Sequence, residues 1–271
     1  MITEIVPGRS TARSALSEAW ADRELAAFLV WRDLKVRYRQ TVFGAAWAVL
    51  QPLGLMLVFS VFLGHLAKIP SGHVPYPLFV LSGLVPWIFV SGAVDAGANS
   101  LVTNLSLVTK VQFPRIILPL AAGLSVVLDL LIGVVLVIGL AIVAGPGVDI
   151  AIALLPIAVL WLYTIATSVG TMLAGLSVRY RDLRHALRFL LQLWMFLSPV
   201  AYPISLVPGQ WRVVYGLNPL ASAIGLFRWA LIGDPAPTGA MFGASIAITA
   251  VLIWLGIAAF LRSDDVVADL S

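Results

Sequence analysis

Residues 42–66 read VFGAAWAVLQPLGLMLVFSVFLGHL, a stretch without a single Asp, Glu, Lys or Arg. About 20 consecutive apolar residues are what a helix needs to cross the hydrocarbon core of a bilayer. A surface helix of a soluble domain would show polar residues on its outward face instead. The rest of the 271-residue chain repeats the pattern, being 61% hydrophobic and only 11% charged, with a mean hydropathy of +1.00. Soluble domains carry roughly 25% charged residues, so a surface this apolar belongs in lipid. The length leaves room for several spans and short loops, and any soluble machinery is expected on a separate chain.

Outward from this first span, similar runs follow at about 78–101, 116–144, 150–178, 186–200 and 238–261. The fold class expected is therefore all-α integral membrane, with six transmembrane helices per protomer. Gln51-Pro52 and Pro86-Trp87 lie inside spans, where proline removes a ladder hydrogen bond and kinks the helix. KIPSGHVPYP, 68–77, is a tight turn on the far side, and Gly145-Pro146-Gly147 turns the third span into the fourth. NSLVTNLSLVTKVQ, 99–112, is too polar for hydrocarbon and reads as a short surface helix. Residues 202–237 are rich in Pro, Trp and Gly yet keep apolar pieces such as PLASAIGLFRWALIG, which suggests two half-buried helices dipping into the outer leaflet. ELAAFLVWRDLKVRYRQ, 24–40, mixes arginines with aromatics, as a helix lying in the membrane interface does. The expected division is a flexible cytoplasmic N-terminus over 1–23, an amphipathic interfacial helix over 24–41, the six-helix transmembrane domain over 42–261 and a cytoplasmic tail over 262–271. Residues 1–20 read as a loosely ordered lead-in, with no removable signal peptide.

Lys and Arg accumulate in short cytoplasmic loops. With this span assignment the cytoplasmic segments hold fourteen of the 17 Lys and Arg, and the other side holds Lys68, Arg212 and Arg228. Both termini are thereby expected in the cytoplasm, with an even number of spans. The net charge of +4 comes from these anchors and not from a basic patch of the kind nucleic acid requires.

No phosphate-binding loop of the G-x-x-x-x-G-K-[ST] type occurs, so any ATP chemistry belongs to a partner and no cofactor is expected in this chain. His65, His73 and His185 have no metal-ligand spacing, and the absence of cysteine excludes disulfides and thiolate sites. Asp95 and Asp129 fall inside expected spans, where ionisable groups are functional candidates. Each is alone in its span, which argues against a proton relay. Aromatic faces stack on sugar rings, but Trp and Tyr also form interfacial belts. Trp211, Tyr215 and Trp229 suit a belt or gate packing, whereas Trp87, Trp194, Phe196 and Tyr202 are the candidates for a glycan path. Arg32, Lys35, Arg37 and Arg39, together with the cluster from Arg179 to Arg188, combine anchoring with the capacity to bind an acidic headgroup.

Several blocks in order, WRDLKVRYRQTVFGAAWAVLQPL, VPYPLFVLSGLVPWIFV, NSLVTNLSLVTKVQFPRIILPLA, LSVRYRDLRHALRFLLQLWMFLSPVAYP and LNPLASAIGLFRWAL, cover most of the chain from about residue 24. They resemble the permease subunits of type 2 ABC exporters for lipid-linked surface polysaccharides, the group that handles O-antigen (lipopolysaccharide), capsule and wall teichoic acid. The resemblance implies a homodimeric channel bound to two copies of an ABC ATPase subunit, which carries ATP and Mg, and an undecaprenyl-diphosphate-linked glycan as substrate. It implies that Asn104, Leu105, Ser106, Lys110 and Phe113 form a coupling helix. Arg179, Tyr180, Arg181 and Asp182 match the family's second cytoplasmic contact with the ATPase. Arg32, Lys35, Arg37 and Arg39 would stand at the substrate entrance, and Pro203 to Trp229 would be outer-side re-entrant gate helices. The rival readings are a type 2 exporter of another lipid or drug, a multi-span glycosyl- or acyltransferase, and a secondary transporter. The short first outer loop, the lack of a His or carboxylate cluster at a membrane face other than the terminal Asp264, Asp265 and Asp269 and the lack of internal repeats weigh against them in turn.

Overall fold

The computed structural model describes residues 12–39, 46–144, 150–180 and 182–268. The expected turn at Gly145-Pro146-Gly147, the first four residues of the quoted span, Arg181 and the end of the tail lie outside them, as do the side chains of Arg179 and Arg184. Among the described residues the chain is helical with no strand.

Helix α1 is Ala12–Ala21 and α2 is Arg23–Arg39. The lead-in expected to be loose thus carries a helix, because ARSALSEAWA is rich in alanine, the best helix former. Helix α3, Ala46–Phe59, continues into a π-helical stretch, Ser60–Leu66. Gly64 lies in that stretch against the Tyr76 ring, which a Cβ there would meet at 2.6 Å. Helix α4, Tyr76–Thr103, leads to the short α5, Leu105–Lys110. The expected third span is two helices, α6 over Ile117–Ser125 and α7 over Val127–Ala144, separated at Val126, whose N–H reaches back to Gly123 O in a tightened turn. A 3₁₀ turn, Ile150–Leu154, opens α8, Leu155–Arg179, and α9 follows as Leu183–Leu197. After an irregular segment come α10, Arg212–Tyr215, α11, Pro219–Ile232, and α12, Gly239–Ala268. Helix α12 runs straight through Arg262, so the last span and the start of the tail are one helix.

Among the described residues, five helical stretches are long and apolar enough to cross a membrane: Ala46–Leu66, Tyr76–Thr103, Ile117–Ala144, Ile150–Ser177 and Gly239–Arg262. The expected fifth span is short. Helix α9 has 15 residues, about 22 Å at 1.5 Å per residue, against a hydrocarbon core of about 30 Å. It ends where Pro199 forces the preceding residue out of the α region, with Ser198 at φ −105° and ψ 149°.

Helix α4 is the axis of the helical bundle. Most of it is buried, while almost none of α3 is. Small residues allow its neighbours close: a Cβ on Gly97 would stand 3.1 Å from the Cα of Gly170 in α8, and one on Gly133 in α7 would stand 2.6 Å from Val85. On the other side of α8, Gly256 in α12 faces the Ser168 carbonyl, 2.6 Å from where a Cβ would sit. Val126 meets Gly92 as Gly133 meets Val85, which sets α7 antiparallel to α4, and Trp161 meets Thr249 as Ser168 meets Gly256, which sets α12 parallel to α8. Two ends result, one holding α5 and the α8–α9 turn, the other holding α10 and α11.

Candidate functional site

The end that carries α5 and the α8–α9 turn is built from helix ends that outrun the core. Helix α4 has 28 residues, about 42 Å, so its last turns extend past a bilayer that its first 20 residues already span. At its end Asn104 is buried, its Nδ2 donating to Ser100 O at 2.8 Å. The chain turns there into α5. Val108 is the anchor of α5, only 4% exposed in a cluster with Leu29, Leu101, Ile116 and Ile117, and Phe113 packs against the same cluster. Leu105, Ser106, Thr109 and Lys110 point outward. A short apolar peg thus holds a helix that presents Leu105, Ser106 and Lys110 on its free face. Helix α8 ends at the same level, and Tyr180, 54% exposed, and the exposed Asp182 form the turn into α9. Of the nine residues expected at this surface, Arg181 lies outside the described residues and Arg179 has no described side chain.

Helix α2 does not lie clear of the bundle. Leu29 is 1% exposed and packs on α6, while Phe28, Trp31 and Val36 are exposed on its other sides. The four cations expected at an entrance differ in their ties. Arg32 pairs with Asp33 at 2.8 Å, and Lys35 lies 5.4 Å from the centroid of the Trp31 ring. Arg37 Nη1 donates to Asp129 Oδ2 at 2.6 Å, and the Tyr38 hydroxyl donates to the same carboxylate. Burial pushes the Tyr38 phenol above its ordinary pKa, and the hydrogen bond to Asp129 adds to the rise. Arg39 is exposed.

Asp129, a lone intramembrane carboxylate by sequence, is therefore paired by residues 91 and 92 positions earlier in the chain. It stands in the first turn of α7, whose 18 residues measure about 27 Å. Within the apolar stretch Ile117–Ala144 it falls near the middle, just after the break at Val126. Asp95 is exposed and accepts from Asn99 Nδ2 at 3.2 Å, a turn further along α4. Neither carboxylate is aimed at the other.

The opposite end gathers the aromatics. Trp87 is 6% exposed and meets Trp194 edge-on, the centroids 6.2 Å apart and the planes at 83°. Trp194 Nε1 donates to Asn218 Oδ1 at 3.0 Å. Asn218 is saturated: its Oδ1 also accepts from the Leu220 N–H at 3.2 Å, capping α11, and its Nδ2 donates to Leu197 O at 3.0 Å and Ser198 Oγ at 2.9 Å. Pro219 at the first helical position and Gly233 in the left-handed conformation at φ 67° complete the boundaries of α11. The Tyr202 hydroxyl lies 2.7 Å from that of Tyr215 and donates to Phe196 O at 3.0 Å. Phe196 itself is 60% exposed. The residues expected on a glycan path thus form one neighbourhood, in which Trp87 is interior, Trp194 and Tyr202 are half-buried and Phe196 is open.

Sequence reading missed the most buried charge. Arg228 was counted among the outer-side cations, in a helix expected to be half-buried, yet it is 1% exposed inside α11. Its Nη2 donates to Val200 O at 2.6 Å and Phe79 O at 3.3 Å, its Nε to Ser82 Oγ at 3.3 Å, and its guanidinium lies 3.8 Å from the Phe79 ring centroid. The signal available was its place in the middle of the apolar run LFRWALI. Helix α11 is also more buried than expected, with every residue but Trp229 enclosed, whereas α10 is exposed at Val213 and Val214.

The ABC-2 type transporter family model matches residues 24–232. The chain is 31% identical over 241 residues to the O-antigen export system permease protein RfbA of Myxococcus xanthus, covering 88% of this chain and 91% of that one. It is 25% identical to the RfbA permease of Klebsiella pneumoniae, over 74% and 77% of the two chains. It is 21% identical to the polysialic acid transport protein KpsM of Escherichia coli, over 86% and 90%. A helical membrane chain with paired helix ends protruding at one side, matched over most of its length, belongs to the ABC-2 type transporter family.

Proposed function

We propose that this chain is the transmembrane permease subunit of an ATP-driven exporter that moves a lipid-linked polysaccharide across the bacterial inner membrane. The observation that carries the reading is the 31% identity to an O-antigen export permease across nearly the whole of both chains. The capsule-type relative KpsM aligns over a similar share, so substrate class extends beyond one glycan type. A teichoic acid would fit the same description.

In this reading the chain works as a homodimer on two copies of a separate ABC ATPase, with both termini in the cytoplasm. Helix α5 is the lever. Its anchor Val108 and the packed Phe113 transmit movement to α2, α4 and α6, while Leu105, Ser106 and Lys110 meet the ATPase, beside Tyr180, Asp182 and the two arginines of that turn. A short helix seated by one apolar peg moves as a unit with the helices beneath it, which is what mechanical coupling requires. The exposed cations Lys35 and Arg39, with Arg32 and Arg37 behind them, face the level of lipid phosphates, where basic side chains attract anionic headgroups. Helix α9, the irregular segment after it and α10–α11 together complete the sixth crossing and form the outer mouth. Phe196 and Tyr202 then offer aromatic faces to the glycan, with Trp194 and Trp87 backing them.

The test is affinity purification of the tagged chain from membranes, with mass spectrometry of its partners and an ATPase assay of the complex. The expected result is an ABC ATPase in equal stoichiometry, and loss of surface polysaccharide when the chain is deleted. A chain that purifies alone and inert, with surface glycan unchanged by deletion, would revive the membrane-enzyme reading.

A further inference from the structure

Arg228 does no work in the coupling or entrance surfaces, and burying a guanidinium is costly unless its surroundings compensate. A hydrophobic residue of the same volume would pack at that position more cheaply. The compensation here is specific. Among the described residues no carboxylate lies within salt-bridge distance of Arg228; Asp234, just past the end of α11, attracts it at longer range, and its hydrogen-bond acceptors are two main-chain carbonyls and a serine hydroxyl on separate elements. Val200 O belongs to the irregular segment after α9, whose backbone has no helical ladder to satisfy it. At membrane depth such a carbonyl needs a donor from protein, and Arg228 is that donor. Phe79 and Ser82 belong to α4. A Cβ on Gly83 would fall 2.2 Å from Val200 O and 2.5 Å from Arg228 Nη2, so only glycine lets the segment and the guanidinium sit against α4.

The other flank of α11 is held as firmly. Ser222 Oγ lies 2.7 Å from Ser245 Oγ of α12, and Ser245 Oγ is 2.8 Å from Gly216 O at the end of α10. Both serines are fully buried. The thread continues through Thr249, which donates to Ser245 O at 2.7 Å and accepts from Trp161 Nε1 of α8 at 3.0 Å. Buried polar bonds in a medium without water have no alternative partner to exchange with when they break.

We infer that the outer hairpin, α10 with α11, is a fixed wall of each protomer, bracketed by Arg228 on α4 and by Ser222–Ser245 on α12, with Arg228 the positioning residue that sets the height of the turn after α9. Opening of the outer mouth then occurs between protomers and not by swinging of this hairpin. The inference rests on the exporter reading for its functional arm and on the two brackets alone for its structural arm.

The chain contains no cysteine, which gives a clean background for crosslinking. In Ser222→Cys/Ser245→Cys the sulfurs replace hydroxyl oxygens that stand 2.7 Å apart, and a disulfide brings its two sulfurs to about 2.04 Å. In the purified complex with its ATPase, oxidation should form the crosslink at rates equal within about twofold without nucleotide and after trapping with ATP and vanadate, because a joint that does not move is blind to the cycle. In cells, surface polysaccharide should match within about twofold before and after oxidation, since locking a fixed joint costs no motion. A crosslink that fails to form, forms in only one nucleotide state, or stops export until a reductant is added would each overturn the wall. Arg228→Lys keeps the charge but loses the planar fork, so export should drop about tenfold while the complex still assembles and hydrolyses ATP; undiminished export would remove Arg228 from the role. Failure of the unmodified chain to support export would count against the exporter reading, and the crosslinking rates would still decide the wall.

Discussion

Arg37 Nη1 stands 2.6 Å from Asp129 Oδ2, joining the second helix to the start of the seventh across 92 positions of sequence. With Tyr38 on the same carboxylate, the pair ties α2 to a helix of the apolar stretch Ile117–Ala144. It also gives Asp129 a structural partner where a proton relay would need a free carboxylate. Both side chains are partly exposed, at 35% and 20%, so the pair is worth less than a fully buried one.

A double-mutant cycle should expose this tie. Arg37→Met and Asp129→Asn should each lower thermal stability in detergent, and the double variant should lose less than their sum, with a coupling energy of about 1–2 kcal/mol. Additive losses would show that the two residues do not act as a pair.

Val108→Asp should uncouple without unfolding. It places a charge among Leu29, Leu101, Ile116 and Ile117, which expels α5 from its seat at a cost of several kcal/mol borne locally. Membrane insertion should be normal and stimulated ATPase activity absent. Lys110→Ala/Phe113→Ala should give the same phenotype more mildly; ordinary ATPase activity in both variants would take the coupling role away from α5.

Asn218→Ala removes a helix cap and three further hydrogen bonds. The expected loss is about 2–4 kcal/mol, the sum of a cap and unsatisfied buried partners, read as a lower unfolding temperature. Asn218→Asp keeps the acceptor but not the donors and should fall between wild type and alanine.

Phe196→Ala separates path from scaffold. Its ring is exposed, so stability should hold while export slows; Trp194→Ala should reduce both, because Trp194 is bonded to Asn218. Normal surface glycan in Phe196→Ala would take that ring off the path.

Gly256→Ala should cost about 1–3 kcal/mol, since its Cβ would meet the Ser168 carbonyl at 2.6 Å and a tight helix contact cannot absorb the extra volume. Gly139→Ala, where nothing stands within 4 Å, is the control and should be neutral. Equal behaviour of the two would contradict the close approach of α8 and α12.

The spans at 42–66, 78–101 and 238–261 were legible because an unbroken apolar run has one stable solution in lipid, the helix. The polar break at 99–112 was legible for the converse reason. The split of the third span at Val126 was not, since a lone Gly123 in an apolar run is tolerated within a helix and only the backbone turn from Val126 N–H to Gly123 O marks the break. Helix α1 was missed because polar, small residues suggest loose chain, while their alanines favour a helix once one is started.

Arg228 and Asp129 mark the boundary between the two kinds of information. Hydropathy is a sum over neighbours in sequence, so the residues alone determined that the chain enters the membrane, roughly where it crosses, and which end collects the arginines. The partner of a buried charge is set by three-dimensional approach. Only the tertiary structure decided that Asp129 is held by Arg37 and Tyr38, that Arg228 faces inward onto Val200 and Phe79, and that α4 forms the axis. Those contacts join residues dozens of positions apart, through packing distances that no local pattern encodes.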